Sequence, residues 1–187
     1  MIGPVDGTQQ FILGIPLFMV SIALVVDGVP VVAVAHNPST GQTYGAALGG
    51  GAYRGDTRLA VSVRDGLAVP ATVNGCGSLP TPAGLNTDGL IQRETGRASV
   101  PHRFPRPSMF FGCQVAEEFW EAELYSVSAA WDTAAIALLV TEAGGAVTDR
   151  LGAPQRYDRP VNGCILSNGR VHEDLVREWT RDYVPRR

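Results

Sequence analysis

Two acids stand in settings that could do chemistry. Asp6 lies in Pro4-Val5-Asp6-Gly7-Thr8, and Asp132 lies in Trp131-Asp132-Thr133. Each is placed where an irregular segment is expected to turn into a helix, with a threonine close behind (Thr8, Thr133). A helix start leaves backbone N–H groups free and carries the positive end of the dipole, so it attracts anions. A carboxylate there can equally act as a cap, and for Asp132 taken alone capping and ligation are even readings. Around Asp6 the glycine lets backbone approach a ligand, and Thr8 adds a hydroxyl that ligates or orients water. Two carboxylates, further oxygen donors and N–H groups around one phosphate suit Mg²⁺, a hard cation that shares its oxygen ligands with substrate phosphate.

Positioning two acids so far apart in sequence requires a packed scaffold. Residues 15–26, IPLFMVSIALVV, are the longest apolar run. A bilayer span needs about 20 residues, so the run is expected to be a buried strand, closed by the turn Asp27-Gly28-Val29-Pro30. No Lys or Arg precedes it, so a secretory leader is not expected. Strands at 31–36 and 42–48 follow, separated by Asn37-Pro38-Ser39-Thr40-Gly41, and short pieces punctuated by Gly49-Gly50-Gly51 and Arg54-Gly55-Asp56 lead to 59–63. The glycine triplet lacks the Gly-Lys-Ser/Thr of a phosphate loop.

Residues 74–112 have little periodicity and are expected to be largely irregular. Their Arg97, His102, Arg103 and Arg106 read as a solvated loop face. Residues 115–124 are expected to form an amphipathic helix or a helix-to-strand passage. Residues 131–143, WDTAAIALLVTEA, predict a buried helix, since apolar residues wrap most of its circumference and Gly144-Gly145 follow as a C-cap. Short strands are expected at 146–148 and 164–166, and a closing helix at 171–179 with Val171, Leu175 and Trp179 on one face. This is a layered α/β or α+β domain. It spans residues 1–187 as one unit, with the candidate motif and a β-meander in 1–63, an irregular stretch in 64–114 and an α/β part in 115–187.

Composition excludes several classes. The chain is 187 residues long and 45% hydrophobic, enough for one domain with a sizeable core. Net charge is −3, so there is no electrostatic footprint for nucleic acid. Cys76, Cys113 and Cys164 are odd in number and form no C-x-x-C pair, which fits buried thiols and a reducing, cytoplasmic setting rather than disulfides or zinc. His36, His102 and His172 have no metal-ligand spacing.

PVDGTQQF…GIPLFMVSIAL and WDTAAIALLVTEAGGAVTD together resemble the inositol monophosphatase family of Mg²⁺-dependent phosphatases, whose motifs read D-P-[ILV]-D-G-T-x-N-F and W-D-x-A-A followed by a helix ending E-A-G-G. The resemblance is close over 2–63 and 128–152. It implies a layered sandwich of mixed sheets and helices, hydrolysis of a small phosphate monoester and a homodimer. It assigns Asp6 and the Val5 carbonyl to one metal and Asp132 to a second. Gly7 and Thr8 would present N–H groups to phosphate, with the Thr8 hydroxyl beside the attacking water. Glu121 would match the acid that holds a substrate hydroxyl, with four extra residues between it and Trp131-Asp132.

Three departures accompany this resemblance. Gly3 stands where the family places an aspartate that bridges two metals, Gln10 where asparagine is usual, and Gly112-Cys113 where Gly-Ser is usual. The family further supplies a glutamate from an upstream helical segment, together with two helices that cover the sheet. The chain is therefore expected to be an N-terminally truncated member with one metal rather than two. Two outcomes are open: an impaired Mg²⁺-dependent phosphatase, or a pseudo-phosphatase that binds a phosphorylated ligand or a protein partner without turnover.

Overall fold

A computed structural model describes residues 1–65, 108–125 and 128–180. Chain order is β1 (Ile2–Asp6), α1 (Thr8–Ile12), β2 (Met19–Val26), β3 (Val29–Asn37), β4 (Gln42–Ala47), β5 (Gly51–Arg54), β6 (Thr57–Arg58), α2 (Met109–Ala116), β7 (Ala122–Tyr125), α3 (Ala130–Glu142), β8 (Ala146–Thr148), β9 (Cys164–Ser167) and α4 (His172–Thr180). β1 to β6 form one antiparallel meander in sequence order, and a second antiparallel sheet has the order β7-β9-β8.

Four layers result. The inner face of the large sheet, built on Ala23, Ala33, Ala35, Tyr44 and Ala46, packs against α3. α2 lies beside α3 and reaches the second sheet through β7 and β9. On the far side of that sheet Ala122, Leu124 and Ile165 meet Val171, Leu175 and Trp179, the expected face of α4. The small alanines of the large sheet let α3 approach closely. Gly112 does the same between α2 and α3, since a Cβ there would sit 2.5 Å from Ile136 Cγ1.

α3 is the axis of the fold. Residues 133–140 are all buried, as the apolar run requires. It ends where Gly144 takes φ 91, a left-handed conformation suited to glycine, and the chain turns into β8. Among the described residues no helix is long and apolar enough to cross a membrane. Cys113 and Cys164 are buried free thiols; Cys76 and the cluster Arg97, His102, Arg103 and Arg106 lie outside the described residues.

Three expectations are corrected. The apolar run at 15–26 is not a strand buried on both faces: β2 begins at Met19, and Met19, Ser21 and Ala23 point inward while Ile22, Leu24 and Val26 are exposed. Apolar composition cannot separate a two-faced strand from a doubly buried one. The segment before Asp6 is an edge strand rather than irregular chain. Residues 115–124 are the helix-to-strand passage, running from the end of α2 at Ala116 to β7 at Ala122, but the helix itself starts at Met109, inside the stretch read as irregular. Ser108 caps it, accepting the Phe110 N–H at 3.3 Å, and Glu118 at φ 61 reverses the chain into β7.

Candidate active site

Asp6 closes β1, and Gly7 makes the corner into α1. Gly7 has φ 82, and a Cβ there would lie 3.0 Å from Ser108 Oγ, so both conformation and space call for glycine. Thr8 begins α1, and its hydroxyl points back to the Val5 carbonyl at 3.4 Å. Gln10 is buried, with Oε1 3.1 Å from where a Gly7 Cβ would be.

The Asp6 carboxylate is buried against the start of α2. Its Oδ1 accepts the N–H of Met109, and the Ser108 hydroxyl lies beside it. Burial pushes its pKa from 3.8 up to about 7, opposed by the Met109 and Ser108 hydrogen bonds and reinforced by the charge of Asp132. Ser108 in turn donates to the Leu17 carbonyl at 2.9 Å, tying α2 to the loop after α1.

Asp132 sits in the first turn of α3, where its Oδ2 accepts the Ala129 N–H at 2.7 Å. That is the capping geometry, and it fixes the carboxyl in place. Burial raises its pKa, opposed by this hydrogen bond. The start of α3 abuts β1: a Cβ on Gly3 would lie 3.2 Å from the Trp131 carbonyl oxygen and 2.7 Å from Ser21 Oγ. The fold therefore brings Asp6, Val5, Gly7, Thr8 and Asp132 to one corner, where the buried Asp6 feels the charge of the half-buried Asp132.

Glu121 stands apart from this corner. It is fully buried just before β7, its carboxylate pairs with the Arg64 guanidinium, and its carbonyl accepts the Asn168 N–H at 2.9 Å. Among the described residues no contact joins it to Asp6 or Asp132. Sequence reasoning missed Ser108 and the Met109 N–H, although Pro107-Ser108 before an apolar run is a capping signal. It missed Glu117 as well, a buried carboxylate that accepts from Tyr44 Oη at 2.5 Å and pairs with Arg54 at 2.5 Å.

The oxygen donors at the corner have the hardness a divalent cation such as Mg²⁺ prefers. Their number is small: among the described residues no group of three or more His, Cys, Asp or Glu side chains could hold a metal ion. Asp6, Asp132 and the Val5 carbonyl are too few donors for a pair of cations, and a single hard cation there would need water or phosphate oxygens to complete its shell.

The result is a layered α+β scaffold with one aspartate at a strand–helix corner and a second in the first turn of a buried helix. The pattern of the inositol monophosphatase family matches residues 1–183. The chain is 37% identical to an inositol-1-monophosphatase of Rhizobium meliloti, over 99% of this chain and 68% of that protein. It is 36% identical to an inositol-1-monophosphatase of Mesorhizobium japonicum, over 91% of this chain and 63% of that protein. Among solved structures, the Thermotoga maritima IMPase superposes with a TM-score of 0.76 at 27% identity, covering 96% of this chain and 67% of that one. The chain belongs to the inositol monophosphatase family. It spans about two thirds of the length of these relatives.

Proposed function

We propose that this chain binds a small phosphorylated alcohol, an inositol monophosphate or a related sugar phosphate, and hydrolyses it with Mg²⁺ at a reduced rate. The observation that carries the reading is the juxtaposition of Asp6 and Asp132 at adjoining element ends, in a chain similar to the two inositol-1-monophosphatases above. Asp6, Asp132 and the Val5 carbonyl would hold Mg²⁺, and the N–H groups of Gly7 and Thr8 would receive the phosphate. Bound there, Mg²⁺ would supply Lewis-acid stabilisation of phosphate charge and lower the pKa of a coordinated water.

The chain's own groups set up the rest. A backbone N–H holds one oxygen of each aspartate, so the carboxyls are oriented before any ligand arrives. The Thr8 hydroxyl, poised over the Val5 carbonyl, can orient a water without itself carrying charge. Burial of Asp6 excludes bulk solvent from that side and strengthens its attraction for a cation.

Binding without turnover is the second reading, and position 3 favours it. Gly3 puts no carboxylate between the two aspartates, and among the described residues the set of acids at the corner stops at two. The experiment is phosphate release by the 187-residue chain from inositol, sugar and nucleotide phosphates, with Mg²⁺ titrated and Asp132→Asn as control. Mg²⁺-dependent release that disappears in the control supports the phosphatase. Folded protein that binds phosphate or Mg²⁺ and releases nothing from any substrate supports binding alone.

A further inference from the structure

Two carboxylates bracket α2. Asp6, at the end of β1, accepts the Met109 N–H at its start, and Glu117 is the residue that closes its end. Met109, Cys113 and Glu117 stand four residues apart, so they share one face of the helix, and all three are buried. The Cys113 thiol, raised first by burial, feels the charges of both Glu117 and Asp6, which places it between them. At the far end Glu117 Oε1 accepts from Tyr44 Oη at 2.5 Å, and Oε2 accepts from Arg54 Nη1 at 2.5 Å. Tyr44 lies on β4 and Arg54 on β5, three and four strands from β1 in the sheet. Eight residues of helix rise about 12 Å, and three strand spacings are about 14 Å. α2 thus spans the end of the large sheet as a brace, with a carboxylate at each pin.

The far pin is not one the helix selects for itself. A negative side chain at a helix C-terminus opposes the dipole, and a carboxylate only 5% exposed is destabilising unless it is paired. Tyr44 and Arg54 offset both effects and between them occupy both oxygens. The next residue, Glu118, stands at φ 61, with its carbonyl accepting from Arg64 Nη2 at 2.5 Å. A residue other than glycine keeps that conformation only where its surroundings fix it. The end of α2 is therefore held in one place, and a rigid helix passes that placement to its start.

We propose that Glu117 is a positioning residue for the candidate site. Held by Tyr44 and Arg54, it fixes where α2 begins, and with that the Met109 N–H and the Ser108 hydroxyl that orient the Asp6 carboxylate toward a bound cation. The inference rests on the reading of Asp6 as a ligand given above. It carries an effect from the Arg54-Gly55-Asp56 turn to Asp6 across four strands.

Two variants test it. Tyr44→Phe removes one bond to Glu117 without changing charge. Glu117→Gln keeps an acceptor for Tyr44 and loses the charge opposite Arg54. Ile165→Val, in the buried cluster under α4, controls for general loss of stability. NMR of the protein in EDTA reads hydrogen exchange and the amide shift of Met109, and calorimetry reads the affinity for Mg²⁺ alone and for inorganic phosphate with Mg²⁺. Both variants should exchange the Met109 amide about tenfold or more faster than the control at matched melting temperature. Their Mg²⁺ affinity should fall about tenfold while the control keeps that of the parent. If Glu117→Gln does not fold, Tyr44→Phe decides alone. Met109 exchange equal to that of the control overturns the proposal. So does a parent that binds Mg²⁺ no better than variants with a loosened Met109 amide. A parent that binds neither Mg²⁺ nor phosphate overturns the reading of the corner itself, and the role of Glu117 with it.

Discussion

Asp6 Oδ1 accepts the backbone N–H of Met109, so the end of β1 is tied to the first turn of α2 across 103 positions of sequence. That bond is the strongest force holding the Asp6 pKa down, and burial overrides it. The balance makes stability depend on pH. The folded-state pKa of about 7 lies above the ordinary 3.8, so the folded protein holds this proton more tightly than the unfolded chain. The favourable contribution is complete below about pH 4 and is lost as pH rises through about 7. Denaturant melts in EDTA should show stability from this group falling between those limits, by an amount on the order of a few kcal/mol. Asp6→Asn should flatten that window. Mg²⁺ should restore stability at pH 7.5 and have little effect at pH 4.5; an equal effect at both would argue against a cation on Asp6.

Asp132 has two roles that separate by substitution. Asn keeps an oxygen able to accept the Ala129 N–H, whereas Ala does not. Asp132→Asn should therefore leave the melting temperature nearly unchanged, while Asp132→Ala loses about 0.5–2 kcal/mol of the capping contribution. Both should abolish Mg²⁺ binding by titration calorimetry. Retained Mg²⁺ affinity in the Asn variant would reduce Asp132 to a cap.

Part of this arrangement was legible in the sequence. α3 could be read from its apolar circumference and Gly144, and β3, β4 and α4 followed from turn residues and periodicity. α2 could not, because the proline-rich stretch before it hid the single capping signal at Ser108. The bond from Asp6 to Met109 and the pair of Arg64 with Glu121 join distant positions, and local pattern carries no record of partners. β2 shows the same limit on a smaller scale: Ile22 and Leu24 read as core residues, and only the register of the sheet reveals that they face outward.

Glu121 and Arg64 should respond asymmetrically. Glu121 is buried, whereas the Arg64 side chain is 40% exposed. Arg64→Ala strands a carboxylate away from water and should destabilise by about 3–5 kcal/mol. Glu121→Gln leaves only a guanidinium that water can reach, and should cost far less by chemical denaturation. If Glu121 also holds a substrate hydroxyl, the Gln variant would raise KM for inositol phosphate while leaving KM for a simple aryl phosphate unchanged.

Gly7→Ala tests the corner itself. Its φ of 82 strains any L side chain, and the new Cβ would press on Ser108 Oγ at 3.0 Å. The loss should be about 1–3 kcal/mol in thermal or denaturant melts. Because Ser108 caps α2 and flanks Asp6, phosphate affinity should fall along with stability. A variant as stable as the parent would show that this corner has more room than the packing allows.

Gly3→Asp asks whether a third carboxylate can be built where the family has one. Its Cβ would meet Ser21 Oγ at 2.7 Å and the Trp131 carbonyl oxygen at 3.2 Å. The first contact is a rotatable hydroxyl and can yield; the second is backbone at the start of α3 and cannot. Added to a buried Asp6 and a half-buried Asp132, an uncompensated third charge should lower stability in EDTA by about 1–3 kcal/mol, and Ser21→Ala should recover only the Ser21 share of the steric cost, the Trp131 contact remaining. Mg²⁺ should recover the electrostatic part, because three carboxylates around one corner bind a hard cation more tightly than two. The double variant Gly3→Asp, Ser21→Ala should then show Mg²⁺ affinity at least about tenfold above the parent, a difference of about 1.4 kcal/mol. Tighter Mg²⁺ binding with a gain in phosphate release would place the deficit of this chain in its missing ligand. Tighter binding with no release would place it in the surroundings of the attacking water, the role proposed above for Thr8.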